Sequence, residues 1–143
     1  MGEHAGSAAA GLLYDAEKEY AEAALLMALA AGGALPGHVG LDVPAAAWLN
    51  GLAEAASELR RHILDLLRAG ELARAEALFA AMEDVYGALV TVDFPDAVTG
   101  GLRRTTDALR AVLERTRSDL TTTLLHARLQ ARIERSLDAG EVT

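Results

Sequence analysis

The stretch "PAAAWLNGLAEAASELRRHILDLLRAG", Pro44 to Gly70, decides the fold class. Wound as a helix at about 100° per residue, it sets Trp48, Leu52, Ala55, Leu59, Ile63 and Leu66 along one stripe, with Glu54, Glu58, Arg61 and Asp65 opposite. That pattern is an amphipathic α-helix with one face for a core. Its ends are legible too. Asp42 or Val43 leads into Pro44, a good first helical residue, and Gly70 supplies the C-cap.

The flanks follow the same logic. "AGGALPGHVGLDVP", Ala31 to Pro44, is rich in Gly and Pro and reads as a loop. Before it, "DAEKEYAEAALLMALA", Asp15 to Ala30, is a helix that is apolar on most of its surface. Leu13, Tyr20, Ala23 and Met27 share one side; Tyr14, Ala21, Leu25 and Ala28 lie nearly opposite. Such a helix expects cover on two sides, yet Asp15, Glu19 and Glu22 run along it in a stripe with Leu12 and Leu26.

After Gly70, a third helix spans Glu71 to Asp93, with Leu72, Ala75, Leu78, Phe79, Met82 and Tyr86 as its core face. "VDFPDAVTGG" breaks the chain at Pro95 and Gly100–Gly101. One long helix then runs from Leu102 to about residue 137, with a kink expected near Thr121–Thr123, and with Leu102, Leu109, Leu113, Leu120, Leu124 and Ile133 as its apolar positions. Four helices so connected predict an all-α antiparallel bundle. The chain reads as one domain over residues 1–143, with residues 1–8 an irregular start. The last helix is longer than its partners need, and an amphipathic overhang expects a second copy, so a homo-oligomer is expected.

Composition agrees. Of 143 residues 52% are apolar and only 4% aromatic, with alanine abundant and β-branched residues scarce, which favours helix. With no cysteine, disulfides, thiolate metal sites and cysteine nucleophiles are excluded, and a reducing cytoplasm is the expected setting. No apolar run is long enough for a membrane span, so no membrane partner is expected. The net charge of −8 argues against indiscriminate nucleic-acid binding. The charge is uneven, however: residues 103–135 carry eight arginines against four acids on an otherwise acidic body. Lys18 is the single lysine.

Two acidic pairs stand out. Glu19 and Glu22 are neighbours on the first helix; Glu54 and Glu58 are one turn apart on the second. Four carboxylates brought together would suit one or two hard divalent cations, which activate water and neutralise phosphoryl charge. The competing reading is a solvated polar face, with Glu58 paired to Arg61 or His62. A di-iron or di-manganese bundle is disfavoured because the chain has no Glu-x-x-His pair. No histidine sits in a triad arrangement, and "GGALPG" lacks a phosphate-loop lysine.

The order of motifs resembles the translin and translin-associated factor X family, most of all its archaeal members. The matching segments are "EYAEA" (Glu19–Ala23), "PAAAWLNGLAEAASELRR" (Pro44–Arg61), "LDLLRAGELARAE" (Leu64–Glu76) and "MEDVYGALVTVDFPDAVTGGLRRTTDALRAVLERTRSDL" (Met82–Leu120). The resemblance implies an all-α fold, hollow oligomers and binding of single-stranded RNA or DNA. It also implies a Mg²⁺-dependent endoribonuclease site, with Mn²⁺ as the alternative ion, held by Glu19, Glu22, Glu54 and Glu58. Glu54 stands where the family site often carries Asp. Family members begin with about two further helices, so this chain is expected to be N-terminally shortened. That leaves Arg61, Arg103, Arg104 and Arg110 as the expected nucleic-acid contacts, with Arg115 and Arg117 beside them; the arginines between residues 103 and 117 equally suit a subunit interface. The alternative function is a non-catalytic single-stranded nucleic-acid binder or an oligomer scaffold.

Overall fold

The helix opened by Pro44 is the centre of the molecule. In a computed structural model, which describes residues 2–140, it runs as α2 (Ala45–Arg68). Pro44 sits just outside as the N-cap and its carbonyl accepts the Trp48 N–H at 3.0 Å. At the other end Gly70 adopts φ 76°, and the Gly70 and Glu71 N–H groups return to the carbonyls of Leu67 and Leu66 at 3.1 and 2.9 Å. This pair of bonds is a Schellman closure, which needs the left-handed residue that glycine supplies.

Four further helices surround α2: α1 (Gly2–Ala31), α3 (Leu72–Leu89), the single turn α4 (Asp96–Thr99) and α5 (Leu102–Gly140). The all-α expectation holds: there is no strand among the described residues. α2 packs against every one of the others, while α1 rests on α2 and only brushes α3. Leu52, Ala53, Ala55, Ala56, Leu59 and Ile63 of α2 are buried against Ala21, Leu25 and Leu29 of α1, Phe79 and Met82 of α3, and Leu109 and Leu113 of α5 within one hydrophobic core.

Several details differ from the sequence expectation. Helix α1 begins at Gly2, so the residues read as an irregular start are helical from residue 2 onward. "VDFPDAVTGG" breaks the chain as expected, but Asp96–Thr99 inside it forms the turn α4, ended by Gly100 at φ 61°. α3 stops at Leu89, and its buried face is Ala75, Phe79, Met82, Val85 and Leu89, with Tyr86 half-buried and Leu72 at the edge. α5 passes through Thr121–Thr123 as one helix, with the Thr123 hydroxyl donating to the Asp119 carbonyl at 2.9 Å.

The expected double cover of α1 is met on one side only. Leu12, Leu13, Tyr20 and Met27 are exposed, the last at 74%. The end of α5 is equally open: Leu125, Leu129, Ile133 and Leu137 stand in solvent at four-residue spacing. Periodicity identified the apolar faces but had no means of saying that no helix among the described residues lies over them.

Helices α1 and α2 meet closely because position 51 is glycine. A Cβ there would lie 3.0 Å from the Ala21 Cβ, the Glu22 backbone nitrogen and the Lys18 carbonyl oxygen. Two of those three atoms are backbone, which cannot step aside cheaply. We expect Gly51→Ala to lose about 1 kcal/mol net, because overpacking costs about 1–3 kcal/mol and exceeds the roughly 1 kcal/mol that alanine gains over glycine inside a helix. Urea unfolding followed by circular dichroism checks this; a midpoint at or above that of the native chain contradicts the close-approach account.

Candidate functional site

The contact at Gly51 fixes what lies beside it. Glu22 follows Ala21, which is fully buried against α2, so its carboxylate leaves α1 along the α1–α2 seam. Glu54 and Glu58 leave α2 along the same seam, one turn apart. All three carboxylates line one open depression of about 780 Å³, together with Tyr14, Lys18 and Ser57, and with Arg104 and Thr105 from the start of α5. Three of the four acids singled out in the sequence are therefore brought together. Glu19 is not: it is exposed, one turn before Glu22 and outside the lining of the depression.

The electrostatics record that crowding. The Glu22 carboxyl is held above its ordinary range by burial first, then by the charge of Glu54, a hydrogen bond shared with Glu54, and the charge of Glu58; only Lys18 pulls it back. Lys18 Nζ donates to Glu54 Oε1 at 3.2 Å. Burial pushes the Lys18 ammonium down, but its hydrogen bond to Glu54 and the charge of Glu54 outweigh this, so its pKa is raised.

One end of the depression is a hydrogen-bonded knot around Asn50, which is 2% exposed. Its amide nitrogen lies 2.6 Å from the Thr99 carbonyl, 2.9 Å from the Ala46 carbonyl and 3.0 Å from the Tyr14 hydroxyl; its amide oxygen accepts from the Thr105 hydroxyl at 2.7 Å. One side chain of α2 thus ties α1, α4 and α5 together. Gly100 completes the knot, because a Cβ there would come within 2.5 Å of the Tyr14 hydroxyl. Burial raises the Tyr14 phenol pKa, so it stays protonated at neutral pH.

The donor set fits a hard divalent cation, being three carboxylates and nothing softer. Among the described residues, however, no group of three or more His, Cys, Asp and Glu is arranged to hold a metal ion. In this arrangement the charge that meets Glu54 is the ammonium of Lys18.

The arginines are dispersed. Arg104 lines the acidic depression; Arg103 lines a separate hollow with Asp93, Asp96 and Asp107, and Arg110 a third with Glu83 and Glu114. Arg61 is exposed on α2, and none of these hollows includes it. Arg117 is engaged structurally, paired with Glu83 at 2.7 Å and seated over the Phe79 ring at 5.7 Å. Arg60, unremarked in the sequence, ties α2 to α5 through Asp119 at 2.7 Å and Thr116 at 3.3 Å. Lys18 and Asn50 were also passed over. Lys18 had a visible signal, since it stands four residues before Glu22 and is the single lysine; Asn50 is a polar residue inside an apolar stretch.

No family model matches the chain. An uncharacterised protein of Methanocaldococcus jannaschii is 32% identical over 126 residues, spanning 87% of this chain and 56% of that protein. A crystal structure of AfC3PO superimposes with a TM-score of 0.74 at 37% identity, and a structure of an AfC3PO–duplex RNA complex with 0.73 at 38%. AfC3PO is an archaeal complex of the translin type. The chain's likeness to AfC3PO supports a translin-family relationship. The chain spans 62% and 60% of the length of the two AfC3PO chains, and they cover 82% and 80% of this one. The translin-like fold expected from the motifs is thereby borne out, including its long C-terminal helix. No helix among the described residues is long and apolar enough to cross a membrane.

A carboxyl with a raised folded pKa binds its proton more tightly when folded than when unfolded. Its ionised form therefore costs stability once the pH exceeds that pKa, and the cost vanishes below the unfolded value. Glu22→Gln should accordingly raise the melting temperature at pH 7 and above, and the gain should shrink as the pH falls through the carboxylate range. Thermal melts across that range test it; a gain that is absent at pH 7, or equal at low pH, contradicts the crowding of Glu22 against Glu54 and Glu58.

Proposed function

We propose that this translin-family relative is a Mg²⁺-dependent endoribonuclease acting on single-stranded RNA. The observation that carries the reading is the convergence of Glu22, Glu54 and Glu58 on one depression, with Glu22 held above its ordinary range first by burial and then by the other two. Carboxylates that crowd one another are stabilised by a divalent cation, and Glu22, Glu54 and Glu58 would hold it, while Glu19 lies outside the depression. Mg²⁺, or Mn²⁺ in its place, supplies an activated water and charge neutralisation at a phosphodiester when bound. Arg104, at the α5 side of the same depression, is placed to take an adjacent phosphate. The Tyr14–Asn50–Thr105 knot holds the start of α5, and with it Arg104, against the acids.

RNA as the ligand is supported by a neighbour solved with duplex RNA. Selectivity for single strands is our own expectation, and it rests on enclosure by an oligomer. The open apolar faces of α1 and of the α5 overhang are where other copies would pack. The absence of cysteine suits a reducing cytoplasm.

The alternative is a translin-type binder of single-stranded RNA or DNA without catalysis. Its support is the set of arginines outside the acidic depression, Arg61, Arg103 and Arg110, all exposed. The two readings separate in one experiment. End-labelled single-stranded RNA, with duplex RNA and single-stranded DNA alongside, is incubated with the protein in Mg²⁺ or in EDTA, and the assembly is sized by light scattering. We expect cleavage of the single-stranded RNA in Mg²⁺ only, by a species of several chains. Glu22→Gln and Glu54→Gln should each lower the rate by about a hundredfold or more, as loss of a metal-held charge does. Glu19→Gln should lower it less. Salt-sensitive binding with no Mg²⁺-dependent cleavage would establish the alternative, and a single-chain mass would remove the enclosure argument.

A further inference from the structure

Lys18 is the one strongly engaged group of the depression for which neither the fold nor the proposed chemistry accounts. It is the single lysine of the chain. Its side chain is 23% exposed, and its ammonium lies 3.2 Å from Glu54. It stands on α1 four residues before Glu22, so it shares the α1 edge of the seam with that carboxylate. The fold does not need it for cohesion. Helices α1 and α2 are already joined by Ala21, Leu25 and Leu29 against the α2 core and by the Asn50 knot. What Lys18 does change is charge. Three carboxylates face one depression, and Lys18 and Arg104 are the cations lining it; of those two, Lys18 is bonded to an acid.

We infer that Lys18 is the site's own resident cation, which holds Glu54 in the metal-free protein and is displaced when a divalent ion binds. The inference rests on the metal reading above and adds a competitor to it. Glu54 offers its Oε1 to the ammonium; a divalent ion that takes this carboxylate removes the partner that holds Lys18. The exchange is between two cations on one anion, with no bond made or broken other than these contacts. Two consequences follow. The acids stay gathered without metal, because Lys18 offsets part of their mutual repulsion. Metal affinity is also lower than the three carboxylates would otherwise give, by the free energy of the Lys18–Glu54 pair. For a half-buried pair that amounts to a severalfold weakening.

The single lysine makes the test direct. Protein labelled with ¹⁵N and ¹³C at lysine is followed by NMR through the Lys18 side chain, in EDTA and during titration with Mg²⁺. Calorimetry on the native chain, Lys18→Met and Lys18→Gln measures Mg²⁺ affinity. In EDTA the Lys18 ammonium should show the slowed exchange of a bonded group. Saturating Mg²⁺ should move its signals to the free-lysine position, and Glu54→Gln should put them there without metal. Both Lys18 variants should bind Mg²⁺ about three- to tenfold more tightly than the native chain. Two variants are used so that a folding defect in one leaves the measurement to the other. If Mg²⁺ binds but leaves the Lys18 signals in place, displacement is wrong while the metal site stands. Unchanged or weaker affinity in both variants overturns it equally. If Mg²⁺ binds to none of these proteins at millimolar concentration, the metal site and the inference fall together.

Discussion

Everything in the depression depends on how near α1 comes to α2, and that distance is set at Gly51. A hydrogen in place of a side chain lets the α1 backbone at Lys18 and Glu22 come within contact distance of α2. The residues on either side of this point are then committed. Ala21 and Leu25 enter the core, and Glu22 faces Glu54 and Glu58 across the seam. Asn50, the residue before Gly51, sends its amide the other way, to Tyr14, Thr99 and Thr105. A close helix contact and a buried amide, adjacent in sequence, thus place acids on one side of the depression and the start of α5 on the other. Buried amides are costly when unsatisfied, so the four partners of Asn50 hold it, and the elements they belong to, in one arrangement.

Charge is divided by role. The acids of the seam are unusual because burial and mutual repulsion act on Glu22 together, whereas most other charged groups are spread over solvated faces. Arginine, which dominates the basic residues, does two different jobs. Arg60 and Arg117 fasten α5 to α2 and α3 through Asp119 and Glu83. Arg104 alone among the arginines lines the acidic depression. An arginine count along α5 therefore overstates the surface available to phosphate. The chemistry proposed for the chain is concentrated where α1, α2 and the start of α5 meet, not along the length of the last helix.

How much of this was legible depends on what kind of information each feature needs. Helix α2 was legible nearly to the residue, because a clean stripe, Pro44 and Gly70 are all local signals. The pairs Glu19/Glu22 and Glu54/Glu58 were visible by spacing, and the resemblance to the translin family joined them into one site. Spacing along a helix cannot fix its rotation about its own axis, though. That rotation, set by Ala21 against Gly51, turns Glu22 into the seam and leaves Glu19 outside it. The turn α4 was hidden because four residues between Pro95 and Gly100 are too few for periodicity to register. Residues 2–8 were hidden because glycine and alanine carry no face. The open sides of α1 and α5 were read as apolar correctly, but apolarity does not say whether the cover comes from the same chain.

The central claim is that Glu22, Glu54 and Glu58 together form a divalent-cation site. Crystals of the protein soaked in Mn²⁺ and measured at the manganese absorption edge test it most directly, because the anomalous signal marks the ion independently of any activity. The account predicts a strong anomalous peak in the depression between α1 and α2, with carboxylate oxygens of Glu22, Glu54 and Glu58 at coordination distance, about 2.0–2.3 Å, as hard oxygen ligands require. A Mn²⁺ peak confined to other acidic surface, with the seam still bridged by Lys18, would contradict it.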